Sequence, residues 1–280
     1  LSIIVIANSL NLGFFDMVST IKNSQYSQVF FWDWQEKNFF FKQFLSGAFI
    51  AIVMTGLDQN MMQKTLSVKT LPQAQKNIYS YSVISVIVNI FFVSLGALLY
   101  IFATTKGITI PTKTDELFPL LALNELGIFA AIAFILGITA ATFSSADSVL
   151  TTLTTSFCID FLKIKSDDDS SKNKTTRHIV HIVFAVLLLG IIILFKEINN
   201  SAVISAVFTV AGYTYGPLLG LFAFGMFTKI NVKDKYVWFV CLLSPIICYF
   251  LNMYSTTLFG GYKFGFELLI LNGLLTCLGL

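Results

Sequence analysis

The sequence predicts an all-α integral membrane protein, and three observations predict it. Hydrophobic residues fill 56% of the 280 positions, only 12% are charged, and the mean hydropathy is +0.78; soluble domains average about a quarter charged. Uncharged stretches run from Asn77 to Thr105, from Ile198 to Thr228 and from Tyr236 to Tyr262, each longer than the roughly 20 residues that carry a helix across a bilayer. A membrane barrel would show ~10-residue segments of alternating polarity instead, and the sequence has none.

Hydropathy and helix breakers place complete spans at about 43–62, 78–103, 127–162, 179–195, 201–227 and 235–253. Partial spans lie at about 1–14 and 264–280. The chain opens at Leu1 inside one apolar run and closes at Leu280 inside another, so residues 1–280 are expected to be one transmembrane domain cut at both ends.

Lysine and arginine set the expected orientation. The loops at 58–78, 162–178 and 228–235 hold 11 of the 18 basic residues in the shorter total length of loop, so this side is expected to be cytoplasmic. The opposite side carries VFFWDWQEKNFFF at 29–41, an aromatic belt that fits either an interfacial anchor or an outer vestibule. KIKSDDDSSKNK at 163–174 mixes both signs and is expected to be a solvated loop. The net charge of +3 lends no support to nucleic acid as a partner; the lipid bilayer is the expected one. Cys158, Cys241, Cys248 and Cys277 have no metal-ligand spacing and are expected to pack. His178 and His181 sit at the start of a span, where an interfacial role and proton handling are both open.

Three clusters could carry chemistry. ATFSSADS, residues 141–148, lies midway along an apolar run. At ~100° per residue, Ala141, Ser144, Ser145, Ser148, Thr152 and Thr155 form one stripe, with Asp147 beside it. An Asp at a helix centre costs about 2.5 to 3.5 kcal/mol in lipid, so this face is expected to look toward protein or water. Dense oxygen donors suit a hard cation; the alternative is hydroxyls that bond carbonyls of their own helix or fasten helices together.

The second cluster is GLDQNMMQKTLSVKT, residues 56–70, where Asp58, Gln59 and Gln63 share a face ahead of Lys64 and Lys69. It fits an interfacial polar cap with snorkelling lysines equally well. The third is AGYTYGPLLGLFAFGMF, residues 211–227, where Gly212, Gly216 and Pro217 are expected to interrupt the span. Such interruptions mark hinges and sites in transporters, or are passive kinks.

Together these clusters resemble the sodium/solute symporter family. GLDQNMMQK is similar to the family's signature G-x-D-Q-x-x-x-Q-[RK] after its sixth core helix, and TDELFPLLA at 114–122 to the outer lid ahead of the eighth. AATFSSADSVL at 140–150 resembles the eighth core helix and YTYGPLLGLF at 213–222 the tenth. The order and spacing match along essentially the whole chain.

The resemblance implies a leucine-transporter-like inverted-repeat helix bundle, incomplete at both ends, in a multi-pass protein of the plasma or inner membrane. It implies Na⁺ as coupling ion and a small-molecule solute as cargo. By the same resemblance, Na⁺ is held by the carbonyl of Ala141 and the hydroxyls of Ser144 and Ser145. The remaining ligands, backbone carbonyls of the first core helix, belong to N-terminal helices of the same protein that are missing from this chain.

Asp147 and Ser148 match the positions of a second cation site, where a hydroxyl is usual at the first. A cation, a proton or a pairing residue are all open roles for Asp147. Val53, Met54, Thr55, Phe208 and Thr209 match substrate or gate positions, and Gly212, Gly216 and Pro217 a hinge. Sugar-carrying members place an Asn and large aromatics on the unwound part of the sixth core helix, matching 51–55, and a Gln early in the tenth, where this chain has Ser205, Phe208 and Thr209; those polar contacts are missing, which disfavours a hexose handled in the familiar way.

Sodium-coupled symport by alternating access is therefore the expected function. A sensory membrane domain that keeps this fold, a channel and a proton-coupled variant are the competing readings. An enzyme is not expected, because no nucleophile, base and orienting acid recur at a common depth.

Overall fold

The computed structural model describes residues 1–164, 170–198 and 202–280, except for the side chains of Asn60 and Ile198. The middle of the solvated loop expected at 163–174 lies outside the described residues. Among them every regular element is helical, and six helical stretches are long and apolar enough to cross a membrane. The chain divides into two compact units, Leu1–Ser27 with Ser67–Ala202, and Gln28–Leu66 with Val203–Leu280.

In the first unit, α1 (Ser2–Ser9) and α2 (Phe14–Lys22) meet at 88°. Asp16 accepts the Gly13 backbone N–H at 3.1 Å, which starts α2. This helix occupies sequence expected to be loop. α5 (Leu71–Thr105) opens on Pro72, a residue preset for the first helical turn. Its 35 residues extend about 52 Å at 1.5 Å each, more than the ~30 Å hydrocarbon core requires. α6 (Leu117–Asn124) and α7 (Ile128–Ser156) follow, the latter widening into a π turn at Phe157–Phe161.

Burial concentrates at one end of this unit. Ile6 of α1, Leu98, Leu99, Phe102 and Ala103 of α5, Leu117 and Leu121 of α6, and Leu126 and Ala130 form one core. In lipid such faces associate through close fit and dispersion rather than escape from water. Most of α7 and of α8 (Ser171–Ile198) is apolar yet exposed.

In the second unit, α3 (Phe40–Ala51) runs into a π turn at Ile52–Leu57 before α4 (Gln59–Leu66). α9 (Val203–Phe227), α10 (Asp234–Met253), the short α11 (Ser255–Leu258) and α12 (Leu268–Gly279) complete it. α9 and α12 pack most closely. A Cβ built on Gly216 would lie 2.3 Å from Asn272 Cγ, and one on Gly220 would lie 2.5 Å from the carbonyl oxygen of Gly273. Only glycine at 216 and 220 permits that approach, the small-residue packing typical of membrane helices.

Candidate functional site

α7 begins at Gly127, whose φ of +83° is a backbone state that L side chains avoid. Further along, Ala141, Ser144, Ser145 and Asp147 are exposed and Ser148 is half-buried. Several hydroxyls in the helices turn back on their own backbone. Thr152 donates to the Ser148 carbonyl at 2.9 Å, Thr154 to Leu150 at 2.7 Å, Ser82 to Ile78 at 2.9 Å and Thr214 to Val210 at 3.0 Å. Ser144 and Ser145 make no side-chain hydrogen bond among the described residues. Back-bonding therefore accounts for Thr152 and Thr154 and leaves the two central serines uncommitted.

The fastening role also falls on another residue of the same helix. Thr154 Oγ1 lies 3.1 Å from His181 Nδ1 of α8. Its one hydroxyl hydrogen goes to Leu150, so the imidazole Nδ1–H donates to Thr154. His181 thus ties α8 to α7 near a cavity of about 190 Å³ lined by Thr154, Thr155, Cys158, Ile159, Ile164 and Arg177. Cys158 is buried, as a packing cysteine would be.

The expected substrate and hinge residues all belong to the second unit. The chain does not unwind at 52–57 but stays helical in the wider π geometry, a form frequent at functional sites. Val53 is fully buried with Ile50 and Leu269, and Met54 and Phe208 pack against that cluster. Phe208 meets Phe266 edge to face at 5.3 Å. Val53, Met54 and Phe208 are thus brought together. Thr55 is half-buried beside them, whereas Thr209 is exposed and bonds back to Ser205 at 2.8 Å. Asp58 ends the π turn in extended conformation and accepts the Met61 N–H at 3.0 Å. The acid of the GLDQ signature is therefore a helix cap here.

α9 remains one helix through Gly212, Gly216 and Pro217, where an interruption was expected. The carbonyl that Pro217 leaves without an intrahelical donor is served from α12. Pro217 offers no N–H to the carbonyl of Tyr213, and Asn272 Nδ2 donates to that carbonyl at 2.9 Å and to Gly212 at 3.1 Å. Asn272, Thr276 and Ser244 of α10 are buried together. Sequence reasoning passed over all three, although a lone Asn inside LLILNGLLT was a readable signal, since an amide in hydrocarbon needs partners.

It also passed over Lys42, a buried lysine near the start of α3. The Lys42 ammonium donates to the carbonyls of Glu36 and Lys263, each at 3.2 Å, and sits 3.5 Å from the centre of the Tyr262 ring. Tyr262 in turn donates to Glu267 Oε1 at 3.0 Å. Burial, and then the charge and hydrogen bond of Glu267, raise the Tyr262 phenol above its ordinary pKa.

Hydroxyl oxygens, dense along this part of α7, are the kind of donor a hard cation takes. Among the described residues no three His, Cys, Asp or Glu side chains converge, the pattern a transition metal would ask for. The chain is similar to known proteins. A Drosophila melanogaster protein named as a candidate sodium-dependent multivitamin transporter is 24% identical over 210 residues, 71% of this chain and 34% of that protein. The sodium/sialic acid symporter SiaT of Proteus mirabilis is 23% identical over 175 residues, 61% of this chain and 35% of that protein. The chain spans about a third of the length of the curated relatives it matches. No solved structure matches it. The sodium:solute symporter family matches residues 1–264, and the chain, a multi-pass helical membrane protein, belongs to that family.

Proposed function

We propose that the protein couples sodium entry to uptake of a small solute by alternating access, with Na⁺ held on α7 by the carbonyl of Ala141 and the hydroxyls of Ser144 and Ser145. The supporting observation is that these two serines stand exposed with no side-chain hydrogen bond among the described residues, on a helix where Thr152 and Thr154 bond back to their own carbonyls. In the family's arrangement, a five-plus-five inverted repeat, backbone carbonyls of the first core helix complete the site. Such a cation bridges two bundles and so favours one of two arrangements. Each charge moved through the membrane potential supplies about 2.3 kcal/mol per 100 mV, which drives the solute uphill.

Asp147 and Ser148 adjoin this site and serve a second cation or a proton. Val53, Met54, Thr55, Phe208 and Thr209 contact or gate the solute, and Gly212, Gly216 and Pro217 supply the bend. The relatives' names point to vitamins and sialic acid as solutes of those proteins, which supports a small organic solute here. The apolar character of Val53, Met54 and Phe208 favours one with an apolar face.

The test needs no knowledge of the solute. Thermal unfolding of the purified full-length protein is followed in rising NaCl, with choline chloride holding ionic strength constant. Sodium is expected to raise the melting temperature saturably. Ser145→Ala should raise the half-saturating concentration about tenfold, equivalent to roughly 1.4 kcal/mol. An identical sodium midpoint in the variant would refute the assignment.

A further inference from the structure

A proline inside a helix strands the carbonyl one turn earlier, and in a dry environment that unpaired oxygen costs free energy. In α9 the stranded group is the carbonyl of Tyr213, and its donor comes from another helix. Asn272 of α12 is fully buried, and its Nδ2 reaches both Tyr213 at 2.9 Å and Gly212 at 3.1 Å. Gly216 is what lets the amide come so near, because a Cβ there would fall 2.3 Å from the same nitrogen.

A second layer orients that amide. Ser244 Oγ lies 2.7 Å from Asn272 Oδ1 and 2.6 Å from Thr276 Oγ1, which is also 2.9 Å from the Asn272 carbonyl. These three contacts share two hydroxyl hydrogens, so one direction of donation must be chosen. Ser244 donates to Asn272 Oδ1, Asn272 to the α9 carbonyls, and the single hydrogen of Thr276 serves either Ser244 or the Asn272 carbonyl. The Ser244 bond to Oδ1 and the amide bonds to α9 follow one another, and successive bonds strengthen one another. Oδ1 is thereby held as the acceptor and both amide hydrogens face α9.

We infer that Asn272 is a positioning residue that latches α9 across Pro217, supplying from α12 the donor that the proline lacks. α9, α10 and α12 hold together as one body while the latch is made, and α9 bends at Gly212–Pro217 only when the amide lets go. An apolar side chain of the same size would fill the space and leave the Tyr213 carbonyl unpaired. The consequence for solute gating rests on the transport reading above, but the latch itself does not.

A double-variant comparison in the full-length protein tests it. Pro217→Ala restores an N–H at position 217, aimed at the Tyr213 carbonyl, so it should relieve the protein of its need for Asn272. Asn272→Leu is expected to lower the melting temperature by several degrees and to speed amide hydrogen exchange across 209–217. Asn272→Asp, isosteric but without the donors, should do the same. In the Pro217→Ala background both losses should shrink to less than half.

If Asn272→Leu alone does not fold, recovery of folded protein in the double variant is the equivalent positive result. Losses as large in the Pro217→Ala background as in the protein that keeps Pro217, for the Leu and Asp variants alike, would overturn the latch. Because neither readout involves transport, a failure here is separable from a failure of the sodium site.

Discussion

The ammonium of Lys42 lies 3.5 Å from the ring centre of Tyr262, over its face, and donates to the carbonyls of Glu36 and Lys263 as well. A buried lysine at the head of an apolar helix is expensive unless all of its hydrogens find partners; here two go to carbonyls and the third side faces a π system. Lys42→Met keeps most of the stem volume but removes the donors. It is expected to destabilise the full-length protein by about 1 to 3 kcal/mol, the usual cost of stranding buried acceptors. Thermal unfolding checks this, and a melting temperature equal to wild type would show that the ammonium's own desolvation cancels its bonds.

Gly216 should tolerate no side chain. An alanine methyl there would overlap Asn272 Cγ, Nδ2 and Cβ, all within 2.4 Å, so α9 and α12 must separate. Gly216→Ala is expected to cost about 1 to 3 kcal/mol or more, as overpacking does. Gly225 lies in the same helix with nothing within 4 Å of a built Cβ. Gly225→Ala should be neutral or stabilising by roughly 0.5 to 1 kcal/mol, because alanine is the better helix former. Equal effects of the two substitutions would show that the glycine contact between α9 and α12 is not tight in the protein.

Tyr262 gives the protein an alkaline signature. Its phenol donates to Glu267 Oε1 at 3.0 Å, and burial with that carboxylate holds its pKa above the ordinary value of 10.0. A tyrosine whose folded pKa is raised stabilises fully below the unfolded value, and the contribution drains away as pH rises from there through the folded one. Melting temperature should therefore fall above pH ~10 more steeply in wild type than in Tyr262→Phe, which has no phenol to titrate. Parallel slopes for the two proteins between pH ~9 and ~11, measured by the same thermal unfolding, would rule this contribution out.

ATFSSADS was legible as a candidate in the residues alone, because the cost of oxygen atoms in hydrocarbon is a property of composition. Which of those oxygens are spoken for was not. Thr154 and Ser145 look alike in sequence, yet one is bonded to Leu150 and His181 and the other is open. Asp58 had two equal readings, and the cap it makes on Met61 depended on where the π turn ends. The interruption expected at Gly212, Gly216 and Pro217 followed correctly from proline's missing N–H. α9 is continuous there, and the amide that serves the freed carbonyl belongs to Asn272, 55 residues beyond Pro217 in sequence and so not readable locally.

The sequence by itself determined that this chain is a bundle of membrane helices and where oxygen would gather among them. Hydropathy and helical periodicity act locally, and lipid leaves the backbone no other way to satisfy itself. Which polar atoms are engaged, which glycines are contact points and what serves the carbonyl freed by Pro217 came only with the folded arrangement. Each of those depends on a partner that arrives from a distant segment, and only folding brings that partner within hydrogen-bonding or van der Waals reach.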